Sequence, residues 1–232
     1  MTPSLRARVG AEVVGTALLV AIGTGTVVAA ARLGGIPLWS LALAWGVAVL
    51  VPVLLFVRVS GSHLNPAVTL ALAASGRIAW TETPLYVGSQ CLGAFLGSGV
   101  VLATLGGGAH LGANVPNAGG VARTFAGELG FTALLAASVF YLADRGEGRL
   151  RWRLTLPPAA VGLATYLLVP WAGSCSLNPA RTIAPAVLSG TYLDVWAYLA
   201  AAPLGVLLVA ALWRPRSVDL ADRGAGRPTA TQ

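Results

Sequence analysis

Gly61-Ser62-His63-Leu64-Asn65-Pro66-Ala67-Val68-Thr69-Leu70-Ala71-Leu72-Ala73 decides how the rest of the chain is read, because it returns. The second copy is Gly173-Ser174-Cys175-Ser176-Leu177-Asn178-Pro179-Ala180-Arg181-Thr182-Ile183-Ala184-Pro185-Ala186. From the Leu before each Asn, seven of ten positions agree, and the two Asn lie 113 residues apart, about half the chain. Each copy is a helix start. Asn caps by accepting from backbone N–H groups, and Pro suits the first helical position, where its missing N–H costs nothing. The helices are expected over residues 65–75 and 178–188. Eleven residues at ~1.5 Å rise give roughly 16 Å, about half of a ~30 Å hydrocarbon core. A half-length helix suggests a segment that enters a membrane and stops midway. One Asn-Pro-Ala would be weak evidence, since Asn-Pro opens many turns and helices. Two, symmetrically placed, are not a chance pattern.

Working outward, the surroundings are those of a polytopic membrane protein. The chain has 232 residues, 56% of them hydrophobic and 10% charged, with a mean hydropathy of +0.77. Apolar stretches over residues 9–31, 38–57, 84–105, 123–143, 154–171 and 192–213 are each near the length that spans a bilayer as a helix. The two special peptides fall after the second and the fifth. Each half therefore reads helix, helix, half-helix, helix. The halves, 9–105 and 123–213, also share an opening: Glu12-Val13-Val14-Gly15-Thr16-Ala17-Leu18-Leu19 resembles Glu128-Leu129-Gly130-Phe131-Thr132-Ala133-Leu134-Leu135. Three spans per half make the second half enter from the opposite side. The expected fold is thus an all-α membrane protein, six transmembrane helices plus two re-entrant half-helices in an inverted 3+3 repeat, forming one domain over residues 1–232.

Charge sets the orientation. All fifteen basic residues are Arg, and the formal charge is +7. Apart from Arg181, which lies inside the second half-helix, twelve fall on one side of the spans and only Arg32 and Arg123 on the other. The positive-inside rule then places both termini in the cytoplasm. Residues 106–122, with His110, form an extracellular linker, and 215–232 a mobile cytoplasmic tail. Arg residues in short loops read as orienting charges and argue against nucleic-acid binding. Cys91 and Cys175 have no metal-ligand spacing, and no cofactor or metal is expected. The absence of Lys fits an Arg- and Ala-rich genome, so the expected location is a bacterial plasma membrane.

Two half-helices meeting at their N-termini aim the positive ends of two dipoles at one place. The amides of Asn65 and Asn178, held by capping, would donate into a lumen there. A passing water accepts from both, which interrupts a donor chain, and a cation meets a positive potential. The rival reading is two capping residues with no lumen. Residues before each Asn are unwound, so Gly61, Ser62 and His63, and Ser174, Cys175 and Ser176, should line a wet cavity. Glu12 and Glu128 are ionisable groups within spans, and Arg181 stands where the first copy has Val68. An Arg that deep is costly unless it lines a water path.

The paired Asn65-Pro66-Ala67 and Asn178-Pro179-Ala180 resemble the signature of the major intrinsic proteins, the aquaporin and glycerol-facilitator family. The resemblance runs from Glu12 to about Trp213. It implies a passive membrane channel and a homotetramer with one pore per subunit. It implies that Gly61, Ser62 and His63, and Ser174, Cys175 and Ser176, supply a ladder of carbonyl acceptors. It also implies that His63 braces its loop and that Glu12 and Glu128 accept from the backbone of the re-entrant loops. Arg181 is the constriction Arg by this likeness, with Trp45, Tyr166 and Cys175 as its partners. Trp45 resembles the glycerol facilitators, whereas Thr182 and Ala186 resemble the water channels. Ser174 and Ser176 stand where the family often has Gly. The expected solute is water, with glycerol, urea or another small neutral molecule as the alternative. A secondary transporter is a rival, because inverted repeats and broken helices serve that class too. An enzyme is a third, unsupported by any nucleophile–base pair.

Overall fold

The computed structural model describes residues 3–116, 119–143 and 175–213. Within them the chain is helical and has no strand. Helix α1 (Leu5–Arg32) begins at Ser4, whose hydroxyl accepts from the Ala7 N–H. Helix α2 (Leu38–Phe56) follows, then the short α3 (Pro66–Ala74) and the long α4 (Thr83–Leu105). After the linker come α5 (Gly120–Ala143), the short α6 (Pro179–Ser189) and α7 (Val195–Leu212). Five of these, α1, α2, α4, α5 and α7, are long and apolar enough to cross a membrane. The expected span over 154–171, Tyr166, Ser174 and the tail 215–232 lie outside the described residues.

The helices bury their small and polar residues and expose their large apolar ones. Helix α1 buries Gly15, Thr16, Gly23 and Thr24. Leu43, Leu55, Leu92, Leu96, Val100, Leu204 and Leu208 face outward. This inversion of the soluble pattern is what lipid requires: tails are as apolar as Leu, so helices associate by close backbone approach. Trp39, Trp80, Tyr192 and Trp196 are exposed near helix ends, where amphipathic rings sit at the headgroups.

The repeat is carried into the packing. Among the described residues the first long helix of each half packs most extensively on the last, α1 on α4 and α5 on α7. A Cβ on Gly93 of α4 would run into the carbonyl oxygen of Val13, one residue after Glu12. A Cβ on Gly205 of α7 would run into that of Leu129, one residue after Glu128. The two contacts are the same contact made twice.

Part of the linker packs into the molecule. Ala109, His110 and Leu111 form a left-handed turn with φ of 47°, 51° and 54°, a conformation that costs non-glycine residues roughly 1–2 kcal/mol each. Burial of Leu111 against Val28 and Val101 opposes that cost. His110 stays exposed, its Nδ1 3.1 Å from the Thr191 hydroxyl. Asn114 ends up 1% exposed.

Candidate functional site: two capped helix starts and a buried arginine

The site is built from the two short helices. Asn65 caps α3, its Oδ1 accepting from the Ala67 N–H at 2.8 Å. Asn178 caps α6, its Oδ1 accepting from the Ala180 N–H at 3.0 Å and the Arg181 N–H at 3.3 Å. Pro66 and Pro179 occupy the first helical positions, and Ala67 and Ala180 are buried behind them. The helices touch at their starts through a reciprocal exchange. Asn65 Nδ2 donates to the carbonyl of Leu177 at 2.6 Å, and Asn178 Nδ2 donates to the carbonyl of Leu64 at 2.8 Å. Each side-chain amide has two N–H donors. One is therefore committed to the opposite loop, which the sequence reading missed, and one remains. Both Leu carry a positive φ, 54° at Leu64 and 59° at Leu177. Such a conformation is rare for a bulky residue; here it accompanies two carbonyls turned to the other loop.

A buried carboxylate sits under each loop. Glu12 accepts from the Leu64 N–H at 2.7 Å, the His63 N–H at 3.0 Å, the Ser60 hydroxyl at 2.6 Å and Gln90 Nε2 at 2.8 Å. Glu128 accepts from the Leu177 N–H at 2.6 Å and the Ser176 N–H at 2.8 Å. Both are fully buried. Unwound backbone donors in an apolar interior need acceptors, and the carboxylates supply them across the bundle.

The remaining sequence candidates divide between the two loops. Gly61 is exposed, and Ser62 and His63 are half-buried. His63 Nδ1 lies 3.2 Å from the Thr69 hydroxyl, and its ring lies against that of Tyr86, 4.8 Å between centroids. Tyr86 in turn donates to the Ser60 carbonyl at 3.0 Å. Ser176 is half-buried and shares a 2.6 Å hydrogen bond with the Thr182 hydroxyl. Cys175 is buried in an apolar cluster with Leu177, Phe131 and Leu135. Val68, the counterpart of Arg181, packs with Ala71 and Leu72 in a second cluster that includes Ala202 and Val206.

Arg181 is 2% exposed. Its guanidinium lies over the Trp45 ring, 4.7 Å from Cζ to centroid, a cation–π contact strengthened by desolvation. Its Nη1 donates to Asn114 Oδ1 at 2.6 Å. Its Nε finds no acceptor among the described residues. The structure thus brings Arg181 and Trp45 together as expected and adds Asn114, which sequence reading left in the linker. The one available signal was a polar residue three positions after apolar Leu111 in a Gly-rich stretch. A buried cation with a strong partner, an aromatic face and an Nε without an acceptor among the described residues can bind a neutral oxygen and repel other cations.

Comparison with known proteins agrees with this geometry. The family described as "Major intrinsic protein" matches residues 2–213. Aquaporin NIP1-3 of Oryza sativa subsp. japonica is 34% identical over 222 residues, which cover 93% of this chain and 75% of that protein. Aquaporin NIP1-1 of Zea mays is 36% identical over 207 residues, 88% of this chain and 71% of that protein. These curated relatives are plant proteins and lend the expectation of a bacterial source no support. The fold is that of the aquaglyceroporin from Plasmodium falciparum, at a TM-score of 0.83 and 22% identity, with 95% of this chain and 100% of that one covered. The chain belongs to the major intrinsic protein family, membrane channels for water or small solutes.

Proposed function

We propose that the protein is a passive channel for water that also passes small neutral solutes and excludes protons and ions. The observation that carries this is the reciprocal pair of hydrogen bonds from each cap's amide to the Leu carbonyl before the other cap. It holds Asn65 and Asn178 side by side with one N–H of each amide left over. A water oxygen accepting from both cannot also relay a proton through the point, and two helix N-termini make it positive. Arg181 over Trp45, with Tyr166 and Cys175, forms the selectivity constriction. The carbonyls of Gly61, Ser62 and His63, and of Ser174, Cys175 and Ser176, lead to and from it. Glu12 and Glu128 hold the loops and take no part in transport.

The protein works as a homotetramer in the plasma membrane, one pore per subunit. Both termini are cytoplasmic, the linker 106–122 is extracellular and the tail 215–232 plays no part in the pore. A second solute, glycerol, is favoured by the Trp45 ring, whose apolar face suits a carbon backbone, and by the likeness to an aquaglyceroporin. Proteoliposomes test the reading. Osmotic shrinkage is expected well above the rate of the bare bilayer, with no proton leak and no dependence on an ion gradient. Bare-bilayer rates, or flux coupled to an ion, overturn it.

A further inference from the structure

We propose that Gly23, in α1, sets the width of the throat by fixing how far Trp45 can retreat. The proposal rests on the channel reading above. Trp45 is 6% exposed and packed toward α1. A Cβ on Gly23 would fall against Cε3, Cζ3 and Cη2 of that ring, closer than non-bonded carbons approach. Gly23 has no positive φ, so its backbone does not call for glycine. Glycine is a poor choice inside a helix, and what this site requires is the missing side chain.

The indole has little room elsewhere. Arg181 Cζ lies 4.7 Å from its centroid. The guanidinium is tied in turn by Nη1 to Asn114, itself buried and 3.4 Å from the Thr182 hydroxyl. Backbone of α1, indole, guanidinium and Asn114 amide are therefore linked by a continuous chain of contacts. By this proposal a methyl added at Gly23 displaces the ring from α1 toward the lumen. A narrower throat hinders a three-carbon solute more than water. Gly25, two residues on, is the contrast: its Cβ would lie 3.4 Å from Val101 Cγ2, an ordinary contact remote from this chain of contacts.

Water and glycerol fluxes of reconstituted wild type, Gly23→Ala, Gly25→Ala, Trp45→Phe and Gly23→Ala/Trp45→Phe test this. Gly23→Ala should lower the glycerol-to-water ratio by about tenfold, roughly 1.4 kcal/mol of barrier. Gly25→Ala should leave it unchanged. With the smaller ring in place Gly23→Ala should lose its effect, so the double variant should match Trp45→Phe, whatever ratio Trp45→Phe itself has. An unmoved ratio in Gly23→Ala, or a double variant as far below Trp45→Phe as Gly23→Ala is below wild type, overturns the proposal. If Gly23→Ala alone does not fold, the double variant decides: folding with the ratio of Trp45→Phe supports the contact, and failure to fold overturns it. A wild type that conducts neither solute overturns the channel reading and this proposal together. A conducting wild type with an unmoved ratio overturns this one alone.

Discussion

The two asparagine loops are built on one frame and finished differently. Each has a left-handed Leu, an Asn–Pro cap, a buried Glu and a glycine beneath the residue after that Glu. Around the first frame stand Gln90, Thr69, His63 and Tyr86, which bond to one another and to the loop. Around the second stand Arg181, Asn114 and Thr182, brought together from the half-helix and the linker. The second half has no equivalent of Gln90: counting three residues back from Gly93 and Gly205 pairs Gln90 with Ala202. The difference teaches that one repeated frame can carry two different sets of polar groups. The first loop uses its polar groups to hold itself; the second buries a cation between Trp45 and Asn114.

The largest test of that contrast removes the carboxylates. Each orphaned buried donor costs about 1–3 kcal/mol. Glu12→Ala strands four donors, whereas Glu128→Ala strands two among the described residues. We expect a loss of roughly 4–6 kcal/mol for the first and roughly 2–4 for the second, read from unfolding midpoints in detergent. Equal losses would mean that Ser60 and Gln90 add nothing.

Next comes Arg181→Val, which copies the first loop into the second. Glycerol flux should rise by about tenfold, roughly 1.4 kcal/mol of barrier, and cation conductance should appear in planar bilayers. A variant with wild-type selectivity removes Arg181 from the constriction. Asn114→Ala should act in the same direction but less, because Trp45 still faces the guanidinium. Loss of a charge-assisted hydrogen bond costs about 1.5–3 kcal/mol. Glycerol flux rising several-fold, with Arg181→Val/Asn114→Ala no different from Arg181→Val, would show that Asn114 works through Arg181; additive effects would contradict it.

The smallest effect lies at the ends of the first and last helices of each half. Arg8 donates twice to Glu82, at 2.6 and 2.7 Å. Equivalent positions in the second half are Thr124 and Asp194, and Asp194 accepts instead from Trp196 Nε1 at 3.3 Å. The hydrogen bonds from Arg8 hold the Glu82 carboxyl below its ordinary range, against some desolvation. Its folded pKa is depressed, so the contribution is complete above the ordinary value near ~4.3 and disappears as pH falls through the lower folded value. The pair is part-exposed, and its worth is below about 1 kcal/mol. Glu82→Gln should flatten the stability profile only on the acid side of pH ~4; an equal change at neutral and acid pH would assign the loss to packing.

Much of this was legible in advance because it is local. Asn followed by Pro starts a helix whatever surrounds it, and a run of apolar residues declares a span by its length. The described long helices begin and end within a few residues of expectation, and α3 and α6 start where their caps said they would. Repetition carried the reading further, since Glu12 and Glu128 each occur once per half at matching places, and the family resemblance matched them to their loops. The place of Asn114 was not legible for the opposite reason. The linker's glycines look like a flexible connection, and nothing in the sequence marks Leu111 as the residue whose burial draws Asn114 inward.

By itself, then, the sequence determined which of the described segments are helices, where two of them begin, and that the chain repeats. Tertiary structure alone decided that Asn65 reaches Leu177 across 112 residues, that Asn178 reaches Leu64 across 114, and that Arg181 finds Asn114 across 67. Caps and spans follow from the chemistry of neighbouring residues. A bond between distant residues depends on how whole helices pack, and here that depends on glycines whose only contribution is to let two backbones approach.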